Sequence, residues 1–570
     1  MCGIAGIINF NGKPVHQEEL KRMTDVIAHR GPDGEGFWLN KSKTVGFGHR
    51  RLSIIDLTET GKQPMHYADG RYTIVYNGEI YNYVELKEEL RRYGYQFHSS
   101  SDTEVLLALY DRKKEKCLDY LDGMFSFSIW DDKEQTLFAA RDRFGEKPFF
   151  YFMDQSRFIF GSEIKALIKV ESGIRVEKSI VQRYLDENYK GAGTETFFTK
   201  TQYLPAAHYL LIKDGQCTLH KYWEIDLYRR TRYVKTAQYY ERFYELFNRS
   251  VTRRLRSDVN TGSSLSGGLD SSAVVCCVNK LSNKPFQTYS ARFKNEIGDE
   301  GKWINEITQH TGIANFEVYP GLQGMMSNIH RLLFVHEFPI ASASVYAQWC
   351  VMELARKNNT TVLLDGQGAD EYLAGYDNLK YFAIWELYRK GHILQLRKEV
   401  QHLRENFGNQ KSVGYKFLYD PVLDLLGKKR NIYNHGYTLR ERLKYAVESE
   451  LPELLRYADR NSMAHSVEVR LPFLSHQLVE YAFSLPPEQI YHNGKTKFVL
   501  REAVKEILPR SIYSRKDKIG FAPPQEKWIL EPAFREEIDK AGHYLKNAGI
   551  RQSDNSFRNY IAYNFITAFS

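Results

Sequence analysis

Two domains are predicted from this sequence: an α+β domain made of short strands, then an α/β domain with a parallel sheet and extra helices towards its C-terminal end. Three observations lead there. At 570 residues the chain exceeds one ordinary core. In its first third, short strands bounded by Gly, Asn and Asp alternate with two helices. From residue 258 onward strands and helices alternate, as in a parallel sheet with crossover helices.

The first element is the apolar run Cys2 to Phe10, read as a strand. Gly- and Asp-rich segments follow: HRGPDGEG (29–36), GHRRLSIID (48–56), QPM (63–65) and YNGEIYN (76–82). Apolar residues at 83, 86, 90 and 93 predict a helix over Tyr83–Tyr93. Ser101 followed by Glu104 predicts a capping box that opens a second helix. After GMFSFSIWD (123–131) and ARDRFGEKPFFY (140–151), residues 203–223 read as a closing hairpin around Asp214-Gly215. The expected division is a first domain at 2–213, a linker at 214–237 and a second domain at 238–570. Tyr240, Phe243, Phe247, Val251 and Leu255 predict a helix that opens the second domain.

The segment SLSGGLDSSAVV (264–275) is the centre of that second domain. Glycines let a backbone approach a phosphate, and a helix starting here aims its free N–H groups and positive dipole end at an anion. Ser271 and Ser272 can donate to phosphate oxygens, and Asp270 can hold the accompanying Mg2+. No G-x-x-x-x-G-K-[ST] occurs in the chain, which excludes a Walker-type loop. The preceding residues Asn260 to Ser263 are polar for a buried strand. FQTYSARF (286–293) reads as a second strand, and TVLLDGQGADEYLAGY (361–376) as strand, loop and turn; residues 377–450 read as helical and charged.

Composition bounds the function. No apolar run approaches the ~18 residues of a membrane helix. The start MCGIAGIINF lacks the basic residues and small-residue cleavage site of a signal peptide, so a cytoplasmic protein is expected. The net charge of +9 comes from 79 basic residues interleaved with 70 acidic ones, a solvated surface with no nucleic-acid partner expected. Six cysteines show no C-x-x-C and no metal spacing. Cys2 stands apart from the rest. Removal of Met1 would give it both a thiol and a free amine, which titrates near pH ~7.7–8.0 and can act as base for its own side chain.

Residues 264–272 resemble the pyrophosphate loop (SGGxDS) of the N-type ATP pyrophosphatases, which cleave ATP between the α and β phosphates. Cys2 and the segments over roughly 2–210 resemble the glutaminase domain of the glutamine-dependent asparagine synthetases, a class II amidotransferase with the N-terminal-nucleophile (Ntn) hydrolase αββα fold. The resemblance implies that Cys2 attacks the side-chain amide of glutamine, leaving a thioester and free ammonia. Asn77 and the Gly78 N–H match the oxyanion hole, Arg51 the contact to the α-carboxylate, and Glu79 and Asp102 those to the α-amino group. In the second domain it implies an ATP site of Leu265, Ser266, Gly267, Gly268, Asp270, Ser271, Ser272, Ala291, Asp365 and Gly366, with Asp270 and Asp370 on Mg2+. Lys497 matches the lysine that stabilises charge on the reacting phosphate; Glu468 and Arg470 sit in a matching motif, their roles open.

One residue departs from that pattern. Many asparagine synthetases read SGEGSDE where this chain reads DGQGADE (365–371), so Gln367 replaces a glutamate thought to assist ammonia attack as a base, which a neutral amide cannot do usefully. The reading is an ATP-dependent asparagine synthetase acting on glutamine, aspartate and MgATP through β-aspartyl-AMP; a homodimer is one assembly open to it, and the sequence does not fix the oligomeric state. Its nearest rival is the same chemistry on another carboxylate, such as a sugar uronic acid or a peptide side chain. A β-lactam synthetase-like cyclase, which needs no nucleophilic cysteine, and a non-catalytic binding protein fit fewer of these residues.

Overall fold

The computed structural model describes residues 2–570 apart from 192, 283, 297, 377–378, 408–437 and 516–522. Among the described residues, twelve strands build the first domain: β1 (Gly3–Asn9), β2 (Gly34–Leu39), β3 (Val45–Arg51), β4 (Met65–Tyr67), β5 (Tyr72–Ile80), β6 (Gly123–Asp131), β7 (Thr136–Arg141), β8 (Phe150–Met153), β9 (Arg157–Gly161), β10 (Gln202–Tyr203), β11 (His208–Lys213) and β12 (Gln216–Lys221). They form two antiparallel sheets, ordered β10-β8-β9-β1-β3-β2 and β12-β11-β7-β6-β5-β4.

Alternation along the strands assigns the faces. In β1, Ile4 and Ile8 enter the core between the sheets, while Ala5 and Ile7 face an outer core shared with helix Gln17–Asp25. In β7, Leu137 and Ala139 face inward, and Phe138 and Ala140 pack with helices Tyr83–Arg92 and Asp102–Lys113. This is the αββα sandwich that was expected.

Two local expectations are corrected. Glu104 does not close a capping box on Ser101; its carboxylate accepts from the backbone N–H groups of His98 and Ser99, while Ser101 Oγ caps Thr103 N. Tyr93 is not part of the buried stripe: the helix ends at Arg92, and the exposed Tyr93 ring lies under Arg112 instead.

In the second domain β13 (Thr261–Ser264), β14 (Phe286–Ala291), β15 (Ala314–Val318), β16 (Val362–Leu364) and β17 (Glu468–Arg470) form a parallel sheet ordered β15-β14-β13-β16-β17. The order reverses between β13 and β16, and ligands of such sheets bind in the crevice beyond the strand ends at that switch point. The polarity of β13 is explained by its bonds: Ser263 Oγ donates to Leu364 O at 2.5 Å. The helix predicted from Tyr240 runs Ala237–Arg254 and buries Phe243, Phe247 and Val251. Of the stretch expected to be helical over 377–450, Leu379–Arg389, Ile393–Phe407 and Leu439–Tyr445 are helices, and 377–378 and 408–437 lie outside the described residues. No helix among the described residues is long and apolar enough to cross a membrane.

The two domains share cores. Leu52, Ile54, Tyr81, Met124 and Phe144 of the first domain pack in the same apolar cluster as the parallel sheet. Helices Leu322–His336 and Ser556–Ala568 close the outer face of the first sheet.

Two candidate active sites

Cys2 is buried at the start of β1, and its backbone nitrogen donates to Asn77 Oδ1 at 2.9 Å. Burial pushes the thiol pKa up, opposed in part by the Leu52 backbone N–H and by Arg51. With Asn77 Oδ1 engaged, Asn77 Nδ2 is a buried donor that has no hydrogen-bond partner among the described residues. Buried polar groups are nearly always paired, so an orphan donor beside a thiol marks a place for an incoming acceptor.

A second donor is fixed by strand geometry. In β5 the N–H groups of Tyr76 and Ile80 point away from β6, bonding to Gln63 Oε1 (2.6 Å) and Asp102 Oδ2 (2.8 Å). N–H groups two residues apart share an edge, so that of Gly78 points the same way, between them. On the other side β6 comes close: a Cβ at Gly78 would lie 2.2 Å from Met124 O, which admits only glycine.

The remaining residues expected here surround this edge. Arg51 is gripped by the carbonyls of Thr58 (2.8 Å) and Asp56. Asp102 accepts from Tyr76 OH and Ile80 N, both at 2.8 Å. Burial lifts its pKa, against the pull of those two bonds. Glu79 lies 3.4 Å from Arg470 of the second domain. Burial and then Glu468 hold its pKa well above the usual carboxylate range, with Arg470 opposing.

The second site opens at the switch point. Leu265 follows β13 and bonds to β14 through Tyr289 O (2.9 Å), and Ala291 ends β14. Gly267 has φ +70°, and Gly268 is the N-cap of helix Leu269–Leu281. Ser271 Oγ lies 3.1 Å from Ser266 Oγ, and the fully buried Ser272 Oγ has no hydrogen-bond partner among the described residues. Asp365, just after β16, accepts from Ser264 N at 3.1 Å. Gly366 touches the start of the helix so closely that a Cβ would sit 2.6 Å from Ser271 N.

Lys497, N-cap of helix Phe498–Ala503 at φ +54°, reaches into the same crevice and bridges Asp270 and Asp370, the latter at 2.6 Å. Burial alone would lower its pKa, but the two carboxylates more than offset this and raise it. A buried carboxylate and a half-buried one that converge on one cation are oxygen donors suited to Mg2+, which takes one or two carboxylates and completes its shell with phosphate and water. Among the described residues no group of three or more His, Cys, Asp or Glu could hold a metal alone.

Sequence reasoning missed the charges between the sites. Arg30, fully buried, donates to Cys2 O (3.1 Å), Glu163 (2.8 Å) and Asp459 (2.9 and 3.0 Å). Arg460 in turn bridges Glu163 (2.6 Å) and Glu337 (2.7 Å), and Glu337 accepts from Ile164 N and Lys165 N. The HRGPDG motif carries Arg30, but it does not reveal a partner at position 459.

Residues 1–223 match the family model of the glutamine amidotransferase domain, and residues 242–560 match that of asparagine synthase. Asparagine synthetase [glutamine-hydrolyzing] 1 of Bacillus subtilis (strain 168) is 33% identical over 568 residues, covering 93% of this chain and 88% of the relative. Asparagine synthetase [glutamine-hydrolyzing] 3 of the same organism is 34% identical over 546 residues, covering 90% and 86%. Amidase chry2 of Gibberella zeae is 28% identical over 630 residues, covering 95% and 93%. With both family models in this order and such relatives along nearly its whole length, the chain belongs to the glutamine-hydrolysing asparagine synthetase family.

Proposed function

We propose that this chain makes L-asparagine from L-aspartate, L-glutamine and ATP, releasing AMP, diphosphate and L-glutamate. The observation that carries the reading is the orphan Asn77 Nδ2 beside Cys2, in a chain whose SGGLDSS loop lies at a parallel-sheet switch point.

In the first site the Cys2 thiol gives its proton to its own α-amine, freed by removal of Met1, and the sulfur attacks the glutamine side-chain carbonyl carbon. The developing oxyanion lies against Asn77 Nδ2 and the Gly78 N–H. Two such preorganised donors supply several kcal/mol, about 3–4 each. Arg51 holds the α-carboxylate; Glu79 and Asp102 hold the α-ammonium. The proton passes from the amine to the departing nitrogen, ammonia leaves, and water hydrolyses the thioester to glutamate.

In the second site Leu265 and Ala291 line the adenine pocket, and the loop 266–272 with Asp365 and Gly366 receives the phosphates. Asp270 and Asp370 would hold Mg2+, which neutralises phosphate charge when bound. Lys497 stabilises charge as the aspartate β-carboxylate attacks the α-phosphorus and diphosphate leaves. Ammonia then attacks the acyl carbon of β-aspartyl-AMP and expels AMP. Enclosure between the domains keeps ammonia from the water that would protonate it.

Gln367 favours keeping one second reading, the same chemistry on another carboxylate. Its Oε1 is buried with no hydrogen-bond partner among the described residues, and it cannot act as a base. The deciding experiment measures AMP and diphosphate release with MgATP and glutamine, with and without aspartate, while asparagine is quantified. Asparagine formed in step with AMP supports the first reading. Glutamate production with no aspartate-dependent AMP discards aspartate and sends the search to uronic acids and peptides.

A further inference from the structure

Arg470 is fully buried where the two domains meet, and each face of its guanidinium has a separate task. Nε bonds to Glu468 at 2.5 Å, and Nη1 donates to the carbonyls of Arg254 (2.8 Å) and Arg256 (2.6 Å), all in its own domain. Nη2 faces Glu79 Oε1 across the boundary at 3.4 Å, beyond a good charge-assisted hydrogen bond. Glu79 Oε2 has no hydrogen-bond partner among the described residues. A buried carboxylate on the glutamine side is therefore only half compensated, by a side chain anchored on the nucleotide side.

The backbone of Arg470 continues the connection. It ends β17, and its carbonyl accepts the Asp365 N–H at 2.9 Å. Asp365 Oδ1 in turn accepts from Ser264 N, the residue just before the phosphate loop. Three successive contacts thus run from Glu79 to that loop. A separate contact ties the other end of the same pocket to the same strand: Asp56, whose carbonyl grips Arg51, donates its N–H to Asp258 (2.9 Å) shortly before β13.

We propose that Arg470 is a positioning residue that couples the two sites, so that glutamine bound at one raises the affinity for nucleotide at the other. This rests on the function proposed above. When an α-ammonium pairs with Glu79, Arg470 loses that attraction and meets a like charge. The pull across the boundary on Nη2 is gone, and the guanidinium is left to the bonds it already makes with Glu468 and the two carbonyls of its own domain. The end of β17 is fixed there, and with it Asp365 and Ser264, which hold the loop. By linkage the effect is reciprocal: nucleotide raises glutamine affinity by the same factor.

The test uses full-length Cys2→Ala protein, which cannot consume glutamine. It is titrated calorimetrically with Mg2+ and α,β-methylene-ATP, with and without saturating glutamine, and then with glutamine in the presence and absence of the analogue. Each ligand is expected to tighten the other by the same factor, at least about fivefold. Adding Arg470→Lys keeps the charge but loses the grip on two carbonyls; both ligands still bind, and the factor falls to near one. A residue with a merely structural role would weaken both affinities and leave their ratio alone. Arg470→Met leaves Glu79 and Glu468 facing each other and is prone to misfold, so Glu468→Gln is the second variant. It leaves Arg470 drawn to Glu79 alone, weakens glutamine binding and again lowers the factor. A factor of one in the parent, or an unchanged factor in Arg470→Lys, overturns the proposal. If the parent binds neither glutamine nor nucleotide, the functional reading falls along with it.

Discussion

Lys497 Nζ sits 2.6 Å from Asp370 Oδ1 while also pairing with Asp270, so one ammonium holds together two carboxylates from the first turns of different helices in the crevice. Lys497→Met removes that cation from beside the reacting phosphate. Diphosphate release is expected to fall on the order of 10²–10³-fold, the usual cost of losing one preorganised charge-stabilising group. Glutaminase turnover should stay within twofold or so, measured as glutamate formed without ATP. Equal losses in both assays would mean that Lys497 acts on the fold rather than on the phosphate.

Gly78 and Gly366 predict opposite outcomes from the same substitution. Gly78→Ala drives a Cβ into the Met124 carbonyl at 2.2 Å; Gly366→Ala drives one into Ser271 N at 2.6 Å. The first is expected to abolish glutamine-dependent product while synthesis from added ammonium continues. The second is expected to abolish nucleotide-dependent steps while glutamate still forms. Product assays with each nitrogen source decide it, and a variant that lost both would show that the sites are not separable.

Asn77 offers a finer test of the first site. Asn77→Ala leaves Cys2 in place but removes a donor to the oxyanion, so kcat for glutamine hydrolysis should drop about 10²–10³-fold. Labelling of Cys2 by a small alkylating reagent should persist. Cys2→Ala, by contrast, should lose both hydrolysis and labelling and retain ammonium-driven synthesis. Persistent glutamine-driven product in Cys2→Ala would remove Cys2 from the mechanism.

Buried histidines set an acid limit on stability. His336 lies fully buried with Nε2 2.8 Å from Asn461 Oδ1, and burial lowers its pKa to about 3. Below pH 6.5 the unfolded chain takes up a proton that the folded chain refuses, so stability falls as pH drops from about 6.5 towards 3. The slope from one such group is at most about 1.4 kcal/mol per pH unit. His336→Gln keeps a donor to Asn461 and should flatten the fall in melting temperature between pH 6.5 and 4. Parallel curves for the two proteins would rule this out. His49 and His476, also lowered to about 3 by burial, account for further slope of the same sign.

The loops were legible because their constraints are local. SGGLDSS needs a φ of +70° at Gly267 and a helix start at Gly268, and both are written in seven adjacent residues. The requirement for glycine at position 78, by contrast, comes from Met124 O on the neighbouring strand. The Arg30–Asp459 pair could not be read this way, since its partners are 429 positions apart and a lone arginine looks like any surface arginine. Glu104 misled for the opposite reason. Its spacing satisfied a helix-capping rule, but in the fold the carboxylate was drawn to the N–H groups of His98 and Ser99.

The charges buried between the domains also make the peptide link between them replaceable. Arg30 and Lys165 on one face meet Asp459 and Glu337 on the other, away from water. Each half alone would expose a surface of ions and apolar side chains shaped for one partner. The stretch from Glu224 to Lys235 is mostly exposed and is pinned to the second domain mainly through Ile225 and Thr231. A chain cut there and made as two polypeptides should reassemble into one working enzyme, whereas either piece made alone would be an aggregating fragment.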